Sequence, residues 1–369
     1  MNFDFSEEQE LLRSEARKFL EARCPLSKVR AVLDDHSLNH DRDLWRELVE
    51  QGWTALTLPE EYGGLGMTRT DLCVLAEELG RVLAPVPFAS TVYLLAEALM
   101  LAGSEGQKAK LAGIASGECI GCLALCEGPG EPDFDRIEAT VAQGRLSGVK
   151  QPVIDGLSAT DALVWAKDEE GVARLYLVSL EDQSITRSAL TTLDGSRGAA
   201  KIVFDSTIAQ PIGEPALLQR LLDGAGVLLA FEQVGGADRA LEQAVEYAKE
   251  HHAFGRAIGS YQAIKHKLAD AYVNNQIARS NAYYGIWALD AGSDELPQAA
   301  AASRVAACAA FWYAARESIQ THGGIGFTWE ADQHLFYRRA LFLDMFVGSP
   351  RMWRDRLFDA AETHFAKAV

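Results

Sequence analysis

Positive charge is in short supply in this sequence: 35 Lys and Arg stand against 52 Asp and Glu, a formal net charge of -17. Such a chain repels phosphate backbones and anionic lipid surfaces on average, which argues against DNA, RNA and peripheral membrane partners and leaves only a local basic pocket open. Cysteine is scarce too, with six in 369 residues, too few for a disulfide framework. Cys119, Cys122 and Cys126 lie close together, but no second pair or histidine cluster follows at ligand spacing, so buried free thiols are expected and no metal. Long apolar runs are missing as well. Val92 to Leu101 is broken by Glu97 and Gly226 to Phe231 ends at Glu232, well short of the ~20 residues a bilayer span needs. Met1-Asn2-Phe3-Asp4-Phe5 has neither the basic nor the apolar segment of a secretory leader, and the chain reads as cytoplasmic.

What is present is ordinary for a folded protein: 48% hydrophobic and 24% charged residues. At about 150 residues per domain the length suggests two to three domains. Ser6-Glu7-Glu8-Gln9 reads as a capping box ahead of Leu11, Leu12, Ala16 and Leu20 at helical spacing. A second helix runs through Trp45, Leu48 and Val49, and a third through Leu72 to Leu79, with Gly80 expected as its terminating residue. Leu58 to Gly66, with one Pro and three Gly, reads as a structured loop, and another helix lies near residues 90 to 103. From about Cys119 the period changes to that of strands. Thr140-Val141 and Leu146 flank Gln143-Gly144, and Ala162 to Trp165 faces Arg174 to Val178 across Asp168 to Gly171, as in two hairpins. Helical spacing resumes after Pro215. The expected fold class is therefore α+β, with an N-terminal helical domain (1–118), a central β-domain (119–212) and a C-terminal helical-bundle domain (213–369) of four-helix type.

Four strings now bear on function: Leu58 to Gly66 (LPEEYGGLG), Glu77 to Pro85 (EELGRVLAP), Phe254 to Asp270 (FGRAIGSYQAIKHKLAD) and Ile319 to Glu330 (IQTHGGIGFTWE). In this order and over nearly the whole chain they resemble the acyl-CoA dehydrogenases, flavoproteins that oxidise the Cα–Cβ bond of acyl-CoA thioesters. The resemblance implies an FAD site at a subunit interface, with the ring held by the β-domain of one subunit and the ADP end by helices of its neighbour. It also implies a carboxylate that removes the α-proton as hydride leaves for the flavin.

By that resemblance, Gln262 and Gln320 face the ADP part, the backbone of Gly323 and Gly324 approaches a phosphate or ribose, and Phe254 packs by the flavin. His251 stands where the family pattern has the arginine that meets the diphosphate. The other half is eroded. Family threonines at the flavin edge become Cys126 and Ile154, and the ring-covering tryptophan becomes Pro152. The base is missing at both known positions, which here are Val347 and Ala225; Glu232 and Glu330 are weak candidates for a displaced one, and Asp344 is a third acid nearby.

This pattern resembles the smaller, degenerate subunit of α2β2 steroid side-chain acyl-CoA dehydrogenases, whose sister subunit supplies the base. The implied partners are that sister, an acyl-CoA and an electron-transferring flavoprotein. Two other readings stay open: a self-sufficient homotetramer with Glu232 or Glu330 as base, and a non-redox structural subunit that keeps only the fold.

Overall fold

The structure, a computed structural model, describes residues 5–35, 37–134 and 136–368, with side chains through residue 362. The first four residues, read above for a leader, lie outside the described residues. Helices come first along the chain: α1 (Glu7–Arg23), α2 (Leu26–Asp34), α3 (Arg42–Glu50), α4 (Arg69–Arg81), a wide-wound segment Ala89–Ala96, then α5 (Glu97–Ala102), α6 (Glu105–Lys108) and α7 (Lys110–Ala115). Strands β1 (Gly121–Ala124), β2 (Thr140–Ala142), β3 (Arg145–Ile154), β4 (Asp161–Lys167), β5 (Ala173–Ser179), β6 (Ile185–Leu190), β7 (Ala199–Ile208) and β8 (Gln210–Ile212) follow. Next come α8 (Leu217–Glu250), the hairpin β9 (His252–Ala253) and β10 (Arg256–Ala257), α9 (Gln262–Asp290), α10 (Leu296–His322), α11 (Gln333–Met345) and α12 (Pro350–Ala368). The expected α, β, α order is the observed one. No described helix is long and apolar enough to cross a membrane.

The chain forms two compact units. One comprises residues 28–68 and 85–225 and is built on a sheet of order β6-β7-β3-β2-β4-β5-β8, with β1 alongside β4. Both expected hairpins are there: Val141 pairs with Leu146 across the Gln143-Gly144 turn, and Leu163 pairs with Leu177. Leu58 to Gly66 is indeed a structured loop, since Gly63 and Gly66 take φ of 81° and 63° and Gly66 N–H donates to Leu58 O at 2.9 Å.

The other unit comprises residues 1–27, 69–84 and 226–369. The capping box of α1 is formed as read, with Ser6 Oγ accepting from Gln9 N–H and the Gln9 side chain accepting from Ser6 N–H. Gly80 is a correction to the sequence reading. It does not terminate α4 but lies within it, because a β-carbon there would collide with the Glu232 carbonyl oxygen of α8. Three residues further along α8, Gly235 meets the Glu77 carbonyl of α4 in the same way. Each helix thus presents one glycine to one carbonyl of the other, at a spacing of three residues, and the two backbones touch with no side chain between them. The acids of Glu77-Glu78-Leu79-Gly80 are buried at this crossing and are answered by guanidinium groups: Arg279 on Glu77 at 2.8 Å, and Arg17 in a two-bond fork on Glu78 at 2.6 and 2.9 Å.

Candidate functional site

The long helix α8 gives way to a hairpin whose two-residue turn is Phe254-Gly255, with φ of 53° and 80°. Two-residue turns of this hand need positive φ at both positions, which glycine accepts freely and phenylalanine rarely does. The Phe254 side chain projects 98% exposed from the tip. Tyr261, just ahead of α9, ties the hairpin down by donating its hydroxyl to Ala253 O at 3.0 Å. Between this hairpin, the start of α9 and the end of α10 lies a cavity of about 410 Å³ whose walls include His251, Phe254, Tyr261, His322, Gly323 and Gly324. β-Carbons at Gly323 and Gly324 would meet nothing within 4 Å, so their backbone is open to an incoming group. Gln262, first residue of α9, and Gln320, near the end of α10, are both exposed and adjoin the wall residues Tyr261 and Thr321 in sequence.

Here, then, the structure brings together His251, Phe254, Gly323 and Gly324, whereas Gln262 and Gln320 are not among the residues walling the cavity. It adds a feature the sequence reading missed: a column of three rings. His251 stacks on Tyr247 at 4.8 Å, and Tyr247 stacks on His322 at 4.2 Å. Burial pushes the His322 pKa down, leaving the ring neutral near pH 7. Its Nδ1–H then donates to Ser318 O at 2.7 Å and its Nε2 accepts from Gln333 at 3.2 Å. The four-residue spacing of Tyr247, in the last turns of α8, and His251, just past its end, was the available signal for half of that column.

The two expected base positions carry no acid and are closed off. Val347 is 1% exposed. A β-carbon at Gly226 would lie 2.9 Å from the Trp353 ring and 3.2 Å from Arg304 Cγ, while one at Gly348 would lie 3.6 Å from Trp353 Nε1. The indole, fully buried, therefore spans from the segment after Ala225 to the segment after Val347. Behind it, buried Arg304 donates to Gln233 Oε1 at 2.5 Å and to Leu343 O at 2.6 Å, and Gln233 passes a hydrogen bond to Asp344 at 3.1 Å. Asp344 is thus built into a buried relay, and burial pushes its pKa up. Glu232 is buried at the α4 crossing and Glu330 is exposed; neither is among the residues walling the cavity.

In the β-unit, Lys150 is fully buried and its Nζ holds Leu125 O at 3.2 Å and Glu127 Oε1 at 2.8 Å. Glu127 also accepts from Glu138 N–H at 2.7 Å and Ala139 N–H at 2.9 Å, closing the loop that follows it. Burial works against its ionisation, but Lys150 and these two amides outweigh it and hold the carboxyl below its ordinary 4.5. The ionised form therefore stabilises the closed loop fully above pH 4.5, and that contribution is lost as pH falls through the lower folded-state value. Faster amide exchange at Glu138 and Ala139 is expected below that range, and in Glu127→Gln at neutral pH. Unchanged protection in both would overturn the assignment. Beside this clamp, burial pushes the Cys126 thiol up to about 11, so it stays protonated and is only a weak donor. Ile154 offers no donor and Pro152 no indole. All six cysteines are free, and no metal-holding group of His, Cys, Asp or Glu occurs among the described residues.

Comparison with known proteins decides the kinship. Residues 6–118 match the acyl-CoA dehydrogenase N-terminal domain and residues 216–361 the C-terminal domain. Acyl-CoA dehydrogenase IpdE2 of Mycobacterium tuberculosis is 34% identical over 353 residues, covering 95% of this chain and 96% of its own. The chain belongs to the acyl-CoA dehydrogenase family. Among solved structures, the Tcur3481-Tcur3483 steroid ACAD matches with a TM-score of 0.89 and 30% identity over 98% of this chain and 99% of that one. The ChsE4-ChsE5 complex of Mycobacterium tuberculosis matches with a TM-score of 0.89 and 26% identity over the same shares. Acyl-CoA dehydrogenases are FAD-dependent, and the residues can be tested against that group half by half. The open glycines, apolar walls and exposed amides beside the hairpin suit the adenosine end of a dinucleotide. The thiol, sec-butyl and pyrrolidine side chains at Cys126, Ile154 and Pro152 do not suit a flavin ring edge, which needs hydrogen-bond donors.

Proposed function

We propose that this chain is the non-catalytic partner in a heteromeric FAD-dependent acyl-CoA dehydrogenase, an α2β2 assembly of the cytoplasm acting on an acyl-CoA thioester of the steroid side-chain kind. Its share of the work is the ADP-end half of an interfacial FAD site. A sister subunit supplies the ring-binding β-domain and the base. The observation that carries this reading is the uneven erosion: the cavity beside Phe254, Gly323 and Gly324 stays open, whereas both base positions are apolar and buried. The steroid ACAD supports the substrate class and the ChsE4-ChsE5 complex supports the two-chain assembly.

When bound, FAD supplies the acceptor for the hydride that leaves the β-carbon. This chain's own residues hold and orient. Gly323 and Gly324 let a phosphate or ribose approach the backbone, Gln262 and Gln320 offer amides to the ADP part, and Phe254 covers the flavin once a neighbour is in place. Nothing here removes a proton: Val347 and Ala225 cannot, and Glu330 is exposed to water. An electron-transferring flavoprotein is the proposed acceptor downstream. A self-sufficient homotetramer would need Glu232 or Glu330 as its base; Glu232 is buried at the α4 crossing and Glu330 is exposed.

The test is an absorbance spectrum of the purified chain, alone and co-expressed with its sister. Flavin bands in the complex and none in the lone chain are the expected result. Stoichiometric flavin in the lone chain, reduced by an acyl-CoA, would overturn the reading, and a stable complex that never carries flavin would favour a purely structural subunit.

A further inference from the structure

Residues 249–267 form a basic island in this acidic protein: Lys249, Arg256, Lys265 and Lys267, together with three histidines, against the single acid Glu250. Lys267 is committed to Glu317 at 2.9 Å. Arg256 is not: among the described residues it has no carboxylate partner, and it is exposed. It is nevertheless held in place. Its guanidinium lies 4.0 Å over the centre of the Tyr261 ring, and that ring is both a wall of the 410 Å³ cavity and the anchor of the hairpin. His251, by contrast, lies flat on Tyr247, and its ring has no planar fork to offer a diphosphate.

We infer that Arg256 is the cation that receives the diphosphate of the dinucleotide, in place of His251. The inference rests on the FAD-sharing role proposed above and names the group that makes it work. The physical case has three parts. An apolar cavity with open glycine backbone accepts a planar base and sugar. A diphosphate leaving that cavity needs a positive group at its rim, since the chain as a whole carries net charge -17 and repels it. A guanidinium stacked on an aromatic ring keeps its N–H edge free, presents a planar fork that matches phosphate oxygens, and loses little freedom on binding. Within this basic island Arg256 is the cation with that geometry, whereas Lys249 and Lys265 are exposed point charges on flexible stems.

The test uses the chain co-purified with its sister subunit, with ADP as the titrated probe and FAD retention read from absorbance. Near neutral pH, Arg256→Gln is expected to weaken ADP on the order of tenfold and to flatten the dependence of binding on salt. His251→Gln is expected to change ADP affinity less than about threefold. Arg256→Lys should fall between, because it keeps the charge and loses the fork. AMP should discriminate less than ADP between Arg256→Gln and the parent. Both substituted positions are exposed, so an unchanged thermal midpoint is the check on folding. If Arg256→Gln binds ADP like the parent, or His251→Gln is the variant that loses it, the inference is wrong. ADP binding that depends on Arg256 in a complex that never holds flavin would overturn the shared-flavin role and leave the Arg256 site standing. If the complex takes up neither ADP nor FAD, both fall.

Discussion

Gly80→Ala and Gly235→Ala are each expected to destabilise the chain by about 3 kcal/mol or more. Two effects compete at these positions. Alanine favours a helix over glycine by about 1 kcal/mol, which would stabilise any open helical site. At Gly80 and Gly235, however, the added methyl would run into a backbone carbonyl, of Glu232 and Glu77 respectively. A carbonyl inside a helix cannot rotate aside, so relief requires the two helices to separate and the packing of Glu77 with Arg279 to open with them. The clash therefore decides the sign. Gly106→Ala is the control: a β-carbon there meets nothing within 4 Å, and a change between neutral and about 1 kcal/mol of stabilisation is expected. Denaturant midpoints for the three variants measure this directly. A Gly80→Ala or Gly235→Ala protein as stable as the parent would mean that the helices do not cross this closely.

Restoring the acid at the familiar position should fail. Val347→Glu puts a carboxylate where the side chain is 1% exposed, beside a fully buried indole. Removing that charge from water costs several kcal/mol unless a partner meets it, and the new group would instead be driven neutral, with its pKa raised. Two outcomes follow together. The complex should melt at a lower temperature, and oxidation of acyl-CoA per assembly should not rise, because Trp353 bridges the Gly226 and Gly348 segments flanking both base positions. A variant that keeps its stability and doubles turnover per assembly would contradict the proposed division of labour.

The legible parts of this chain were the local ones. Ser6 and Gln9 announce their capping box because both partners lie within four residues. Gln143-Gly144 announces its turn because a two-residue connection between strands demands positive φ, and these residues take 51° and 72°. Helix α2 went unread, although Val29, Val32 and Leu33 are buried on one face, because nine residues barely complete its pattern. Strand β6 went unread because an edge strand with Arg187 and Ser188 exposed lacks the apolar alternation that marks a strand. Gly80 was misread since its reason lies more than a hundred residues away, in a carbonyl. The same divide runs through the site. That Val347 and Ala225 carry no acid is visible residue by residue, but Trp353 reaching Gly226 and Arg256 settling on Tyr261 are facts of packing.

The double glycine crossing has a consequence for how such chains are recognised at all. Because each glycine abuts main chain, no substitution elsewhere in the protein can make room for a larger residue at either position. Selection on the fold alone would then preserve the Glu77 to Gly80 string in a descendant that had given up chemistry entirely. A pattern search keyed to that string reports ancestry and architecture, and it stays silent on whether the bearer can turn over a substrate.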